Sequence, residues 1–211
     1  MVKITNNIKT TAHFINIGGF TTQYLNSFQG FTAKHSTWDT ILWTEKDIHK
    51  LVVKHNEQEY FYKLDTFINR YNFSKYLILA EYGGWYVDLD IIWKKSLDEL
   101  IRDKMALSME RRFPEIFVPV RTFPRQKKVN LNMNDDNILY AEKGLLFDLI
   151  NFAKNREDVD HSKKYEPFGP VSLSRWLYER HDLEKIYMFE DEIQENGTYC
   201  NHLNSTSWKI S

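Results

Sequence analysis

Two aspartates two residues apart, Asp88 and Asp90, lie near the end of the segment Glu81 to Trp93, which reads EYGGWYVDLDIIW. Carboxylates are hard oxygen ligands, and a pair at this spacing can hold a divalent cation. Their neighbours are nearly all large and apolar, so the segment reads as a buried strand, where unpaired carboxylates are costly. Alternation puts Trp85, Val87, Leu89, Ile91 and Trp93 on one face and Tyr86, Asp88, Asp90 and Ile92 on the other. On one continuous strand the two carboxylates stand roughly 6.5–7 Å apart. The plainer alternative, two solvent-facing acids on an edge strand, fits this apolar setting poorly.

Other candidates are spread along the chain. His202 can serve as a third metal ligand, because a neutral imidazole beside carboxylates suits Mn²⁺ better than Mg²⁺. Ser207 and Trp208 follow it with a hydroxyl and an indole N–H, both able to donate to a phosphate oxygen. Asp135 and Asp136, in the polar run NMNDDN, are a further pair of candidate acids, with plain loop residues as the alternative. His49 and His55, six apart, lack a ligand spacing and read as exposed. Cys200 has no paired base and reads as structural. As the single cysteine it excludes an internal disulfide framework and fits a reducing compartment.

The elements that must position these residues alternate between strand and helix. Thr11 to Ile17 (TAHFINI) reads as a strand running into Gly18-Gly19, and Asp39 to Trp43 (DTILW) as a second strand followed by a short helix. Between Glu59 and Tyr82, Phe61, Leu64, Ile68 and Tyr71 recur at helical spacing, and Gly83-Gly84 ends the helix. Ala106 to Met109 reads as a strand, and the basic, Pro-punctuated stretch Arg111 to Lys128 as loop. The second half of Asp136 to Phe152 is helical, Val171 to Glu179 forms an amphipathic helix after Gly169-Pro170, and Ile186 to Phe189 forms a late strand. Cys200 to Ser211 shows neither pattern.

Composition bounds the class. A chain of 211 residues with 42% hydrophobic and 27% charged residues is the size and balance of one packed domain, and no internal linker or repeat divides residues 1–211. Its 28 basic and 29 acidic residues nearly cancel, so no global positive field points to nucleic acid or a membrane surface. No apolar run reaches the ~20 residues of a membrane span, and Met1 to Asn16 lacks the pattern of a secretory signal. A cytoplasmic protein is the expectation, in the host cytoplasm if the source is viral. The sequons at Asn72, Asn196 and Asn204 then read as chance matches.

Tyr76 and Leu79, then Tyr82-Gly83-Gly84, Tyr86, Asp88 and Asp90, resemble the DXD region of the sugar-binding glycosyltransferase family that includes yeast mannosyltransferases, bacterial capsule enzymes and glucosylating clostridial toxins. His13, Ile15, Ile17 and Gly18 resemble the family's opening strand, and Trp38 with Ile41-Leu42-Trp43 its second strand. Asn137 to Gly144 (NILYAEKG), Gly169-Pro170, and His202 with Ser207-Trp208 resemble its later, looser motifs. Departures also stand out: Asn72 and Lys75 occupy the positions of an Asp and an Arg that meet the donor nucleotide in the family, and Asn16 the position of a Trp.

The resemblance implies an α/β chain with the GT-A fold, a single Rossmann-like domain with a mixed central sheet, whole or a piece of a longer protein. It implies binding of a nucleotide sugar, UDP-linked in preference to GDP-linked, with Mn²⁺ or Mg²⁺ held by Asp88, Asp90 and His202. His13, Ile15, Ile17, Gly18, Asn72, Lys75, Gly84, Tyr86, Ser207 and Trp208 would line the donor site, and Asp136 would join the two aspartates in catalysis. The reaction implied is transfer of a sugar, with retention, to a hydroxyl of a glycan, lipid-linked or protein acceptor. Two other classes share some of these features. Haloacid-dehalogenase-like phosphatases also carry an Asp-x-Asp after a strand, though on the first strand, and a binding module could keep the fold without turnover.

Overall fold

The protein is described by a computed structural model covering residues 11–19, 21–99, 116–121, 133–134, 137–157, 167–179, 186–189 and 197–203. Strand β1 (Thr11–Asn16) leads to helix α1 (Thr22–Lys34), β2 (Asp39–Thr44) and α2 (Glu45–Lys54). Helices α3 (Gln58–Lys63) and α4 (Phe67–Tyr82) precede β3 (Gly84–Val87) and β4 (Ile91–Trp93). Then come β5 (Ile116–Arg121), β6 (Met133–Asn134), β7 (Ile138–Ala141), α5 (Leu146–Lys154), α6 (Pro170–Glu179), β8 (Ile186–Phe189) and β9 (Cys200–His202).

The central sheet is mixed, as expected. Parallel β2, β1 and β3 lie side by side, β7 joins β3 antiparallel, and β5 continues beyond β7, pairing also with β6 and β8. Strands β4 and β9 form a separate antiparallel pair. Alternating side chains sort the sheet into two cores. Ile15, Tyr86, Leu139 and Ala141 pack with α2, α4, α5 and α6 on one face. Ala12, Phe14, Trp85, Val87, Ile138 and Tyr140 pack on the other with Phe31 of α1 and the β4–β9 pair.

Local chemistry explains the helix ends. Thr44 and Asp47 form a reciprocal capping box at the start of α2. Thr66 accepts from the Asn69 N–H at the start of α4. At the other end of α4, the chain turns through Gly83 and Gly84, both with positive φ. A Cβ on Gly83 would come within 2.6 Å of the Lys143 nitrogen, and one on Gly84 within 2.7 Å of the Thr11 carbonyl oxygen. Only glycine lets β3 enter this tightly between its neighbours.

Several elements differ from the sequence expectations. Trp85 to Trp93 is not one strand: pairing with β7 ends at Val87, residues 88–90 turn, and β4 leaves the sheet to pair with β9. The apolar alternation runs unbroken through that turn, because Trp85, Val87, Leu89, Ile91 and Trp93 all enter one core. A break between Lys63 and Phe67 divides the helical stretch before it into α3 and α4. Helix α1 lacks a strong apolar stripe and was not anticipated; only Ser27 and Phe31 are buried on it. Strand β5 crosses the stretch read as loop, and β9 falls in the tail read as irregular, where its partner is more than 100 residues away in sequence. His55 is half-buried against Glu81 rather than exposed. The expected strand Ala106 to Met109 lies outside the described residues.

Candidate metal and donor site

The turn after β3 lies at the carboxyl ends of parallel β1, β2 and β3, the edge at which open α/β sheets bind ligands. The Asp88 N–H still donates to the Asn137 carbonyl oxygen at 2.8 Å, anchoring the start of the turn. Its end is anchored by the Leu203 N–H, which donates to the Asp90 carbonyl oxygen at 2.9 Å. Register then sets Ile91 opposite His202. Local turning and long-range pairing together bring Asp88, Asp90 and His202 into one cluster, each offering a ligand atom within 4.8 Å of the others.

Each side chain in this cluster is held. Asp88 Oδ1 accepts from the Tyr86 hydroxyl at 2.7 Å and from the Tyr71 hydroxyl at 3.3 Å, and the two hydroxyls lie 2.6 Å apart. Burial, with the charge of Asp88 behind it, raises both tyrosines well above their ordinary pKa, so they remain protonated donors. His202 Nε2 lies 3.1 Å from Asp90 Oδ1, and its Nδ1 lies 3.1 Å from the side-chain nitrogen of Asn137. Two carboxylates and one imidazole, partly shielded from water, are a donor set that fits Mn²⁺ and also accommodates Mg²⁺.

Other residues expected at the donor site have different surroundings. His13 is fully buried; Trp43 donates to its Nδ1 at 3.2 Å, leaving Nε2 to donate to the Gly83 carbonyl oxygen at 3.0 Å. Its ring nitrogens therefore serve the scaffold. Ile15 is a core residue and Ile17 packs at the core's edge, while Gly18 lies exposed just beyond the carboxyl end of β1. Gly84 sits at the opposite end of β3 from Asp88, about 13 Å along an extended chain, and its role is the close approach to Thr11.

Asn72 is buried and donates to the Phe168 carbonyl oxygen at 3.4 Å. Lys75, 1% exposed, has its ammonium 4.8 Å from the Tyr86 ring centre and 5.9 Å from that of Tyr71. Lys75 thus packs against the rings that carry the hydroxyl donors, a cation–π position rather than an open contact with a ligand. Asp135, Asp136, Ser207 and Trp208 lie outside the described residues. Cys200 is buried in the β4–β9 core, which pushes its thiol up to about 12, in keeping with a structural residue.

Two residues of the site were not singled out from sequence. Tyr71 looked like one more apolar position on a helix, and only the packing of α4 against β3 turns its hydroxyl toward Asp88. Asn137 stood at the head of a resembling motif, but its contact with His202 depends on β9 returning beside β4.

Comparison with known proteins agrees with this arrangement. Residues 22–107 match the family described as "Glycosyltransferase sugar-binding region containing DXD motif". Mannosyl phosphorylinositol ceramide synthase CSH1 of Saccharomyces cerevisiae is 34% identical over 86 residues, 38% of this chain and 22% of that protein. Inositol phosphoceramide mannosyltransferase 1 of Schizosaccharomyces pombe is 35% identical over 79 residues, 36% of this chain and 25% of that protein. The matched segment thus spans a quarter or less of these curated relatives.

Among solved structures, the PaToxG glycosyltransferase superposes with a TM-score of 0.52 at 15% identity, over 82% of this chain and 68% of that one. The galactosyltransferase LgtC, solved with donor and acceptor sugar analogues, gives 0.50 at 11% identity over 84% and 72%. Residues 22–107 of this protein are thus similar to the sugar-binding region of the DXD glycosyltransferases, and the chain has the GT-A fold.

Proposed function

We propose that this protein is a glycosyltransferase that requires a divalent cation, Mn²⁺ or Mg²⁺. In this reading it moves a sugar from a nucleoside-diphosphate sugar, UDP-linked in preference to GDP-linked, to an acceptor hydroxyl. Transfer proceeds with retention, and the protein works in the cytoplasm. The observation that carries the proposal is the convergence of Asp88, Asp90 and His202 at the carboxyl ends of the parallel strands. Asp88, Asp90 and His202 would hold the cation, whose chemistry there is neutralisation of the charge on a departing nucleoside diphosphate.

The protein's own groups prepare that site. Tyr71 and Tyr86 fix one oxygen of Asp88, so the carboxylate meets a ligand already oriented. Lys75 places a positive charge against their rings. Glycan, lipid-linked and protein acceptors all offer a suitable hydroxyl. The names of the fungal relatives favour a lipid-linked one and put mannose among the sugars to test.

Incubation with Mn²⁺ and a panel of UDP- and GDP-sugars should release nucleoside diphosphate. A phosphatase would instead release inorganic phosphate from a phosphomonoester, and a binding module would release nothing. Asp90→Ala should bring turnover to background while the melting temperature stays near that of the wild type. Full activity in EDTA, or in the Asp88→Ala, Asp90→Ala double variant, would overturn the proposal.

A further inference from the structure

Lys75 and Tyr71 are four residues apart on α4 and so share one face of the helix. The Lys75 ammonium lies 4.8 Å from the Tyr86 ring centre and 5.9 Å from that of Tyr71. The hydroxyls of the same two rings reach Asp88 Oδ1, at 2.7 and 3.3 Å. Ammonium, rings and carboxylate thus form one continuous contact between α4 and the turn after β3.

A lysine buried this deeply gives up its hydration, and aromatic faces return only part of that loss. The rest calls for opposite charge nearby. Asp88 and Asp90 supply it, for the charges of both already bear on the Tyr71 hydroxyl. The two contacts of Tyr86 put the ammonium within about 10 Å of Asp88 Oδ1, where opposite charges with little water between them still shift an equilibrium constant about 10-fold.

We propose that Lys75 is a built-in counter-charge for the Asp88–Asp90 pair, stabilising the metal-free site and weakening its hold on a divalent cation. The inference rests on the metal-dependent reading for its effect on the cation, but not for the pairing of Lys75 with Asp88. Its sign follows from charge. Neutralising Lys75 removes a like charge from the neighbourhood of an incoming cation, so the cation binds more tightly, and the gain grows in proportion to the charge of the ion. A lysine that merely braced the tyrosines would act the other way: its loss would loosen Asp88 and weaken every ion alike. A cation held below full strength is free to arrive and leave with a nucleoside diphosphate.

The test has a metal-free arm and a metal-binding arm. In the metal-free protein, a double-mutant cycle of Lys75→Met with Asp88→Asn, followed by urea unfolding, should show a favourable coupling of about 10-fold in the unfolding constant. By calorimetry, Lys75→Met and Lys75→Gln should bind Mn²⁺ about 10- to 100-fold more tightly than the wild type, while Lys75→Arg, which keeps the charge, should stay within about 3-fold. Tb³⁺, another oxygen-seeking ion but of higher charge, should gain about 1.5 times as much as Mn²⁺ on a logarithmic scale.

A coupling below about 2-fold would overturn the pairing with Asp88. Unchanged or weaker Mn²⁺ binding in the neutral variants, or a gain for Tb³⁺ no larger than that for Mn²⁺, would overturn the effect on the cation. If no form of the protein binds Mn²⁺, the metal-dependent function falls, and the metal-free cycle still decides whether Lys75 and Asp88 are paired. Lys75→Gln takes the place of Lys75→Met in both arms if the methionine variant does not fold.

Discussion

His13 and Gly83, 70 residues apart in sequence, are joined by a buried hydrogen bond in which Nε2 donates to the carbonyl oxygen at 3.0 Å. Because Trp43 donates to the other ring nitrogen, the bond fixes one tautomer and ties β2, β1 and the turn before β3 into one unit. Replacing His13 with Phe keeps the aromatic volume and leaves the Gly83 carbonyl and the Trp43 N–H without this partner. The expected cost is about 1–3 kcal/mol for each buried group left unsatisfied. A urea titration showing His13→Phe within a few tenths of the wild type (~0.3 kcal/mol) would contradict that role.

Tyr71 and Tyr86 share one acceptor oxygen and also contact each other, so their contributions should not add. Tyr86→Phe removes the closer donor and should lower metal-free stability by about 1–3 kcal/mol, more than Tyr71→Phe does. A double-mutant cycle should show a coupling of about 0.5–3 kcal/mol. Strict additivity would mean that the three-way contact does not persist in solution.

The sequence made the sheet face and the acid pair legible but not the geometry that joins them. Alternation from Trp85 to Trp93 correctly groups the residues that enter one core, because burial there continues through a turn that breaks the strand itself. The other face divides between Tyr86 in the second core, the acid pair and an exposed Ile92. Nothing local marks that turn, since its cause is pairing with β9, more than 100 residues further on. The same gap explains Lys75. Its place ahead of the double glycine suits a resemblance to a phosphate contact, yet packing of α4 against β3 puts two tyrosine rings beside its ammonium. Asn137 and Tyr71 were hidden for the same reason, as their partners are set by tertiary packing alone.

His35 predicts an acid-sensitive element away from the site. It is buried, stacks on Phe31 at 3.9 Å, accepts from the Leu97 N–H at 2.7 Å and donates through Nδ1 to the Phe31 carbonyl oxygen at 2.9 Å. Burial lowers its pKa, partly offset by the bond to Phe31 and by Asp98, while Lys34 lowers it further. The unfolded chain therefore takes up a proton below about pH 6.5, where the folded one resists it. The stability due to neutral His35 is present above that value and declines as pH falls through the interval to the lowered folded pKa. Between about pH 7.5 and pH 5.5 the urea midpoint should fall in the wild type and fall less in His35→Leu. Equal falls would show that His35 is not the group responsible.

Two glycines with left-handed backbone allow strain to be separated from steric fit. Gly18 has φ 87 and Gly84 φ 100, so alanine at either position incurs backbone strain of about 1–3 kcal/mol. At Gly18 a Cβ meets nothing within 4 Å, whereas at Gly84 it comes within 2.7 Å of the Thr11 carbonyl oxygen. That oxygen belongs to β1, the strand paired with β3, and cannot rotate aside as a flexible side chain would. Gly84→Ala must therefore open the β1–β3 pair, adding a cost of about 1–3 kcal/mol comparable to overpacking a core. Denaturant unfolding should rank Gly84→Ala clearly below Gly18→Ala. Because β3 leads directly to Asp88, Gly84→Ala should also weaken Mn²⁺ binding under conditions where the protein remains folded, while Gly18→Ala should not. Equal losses of stability in the two variants would mean that backbone strain alone acts at Gly84 and that β3 can move away from β1 at little cost.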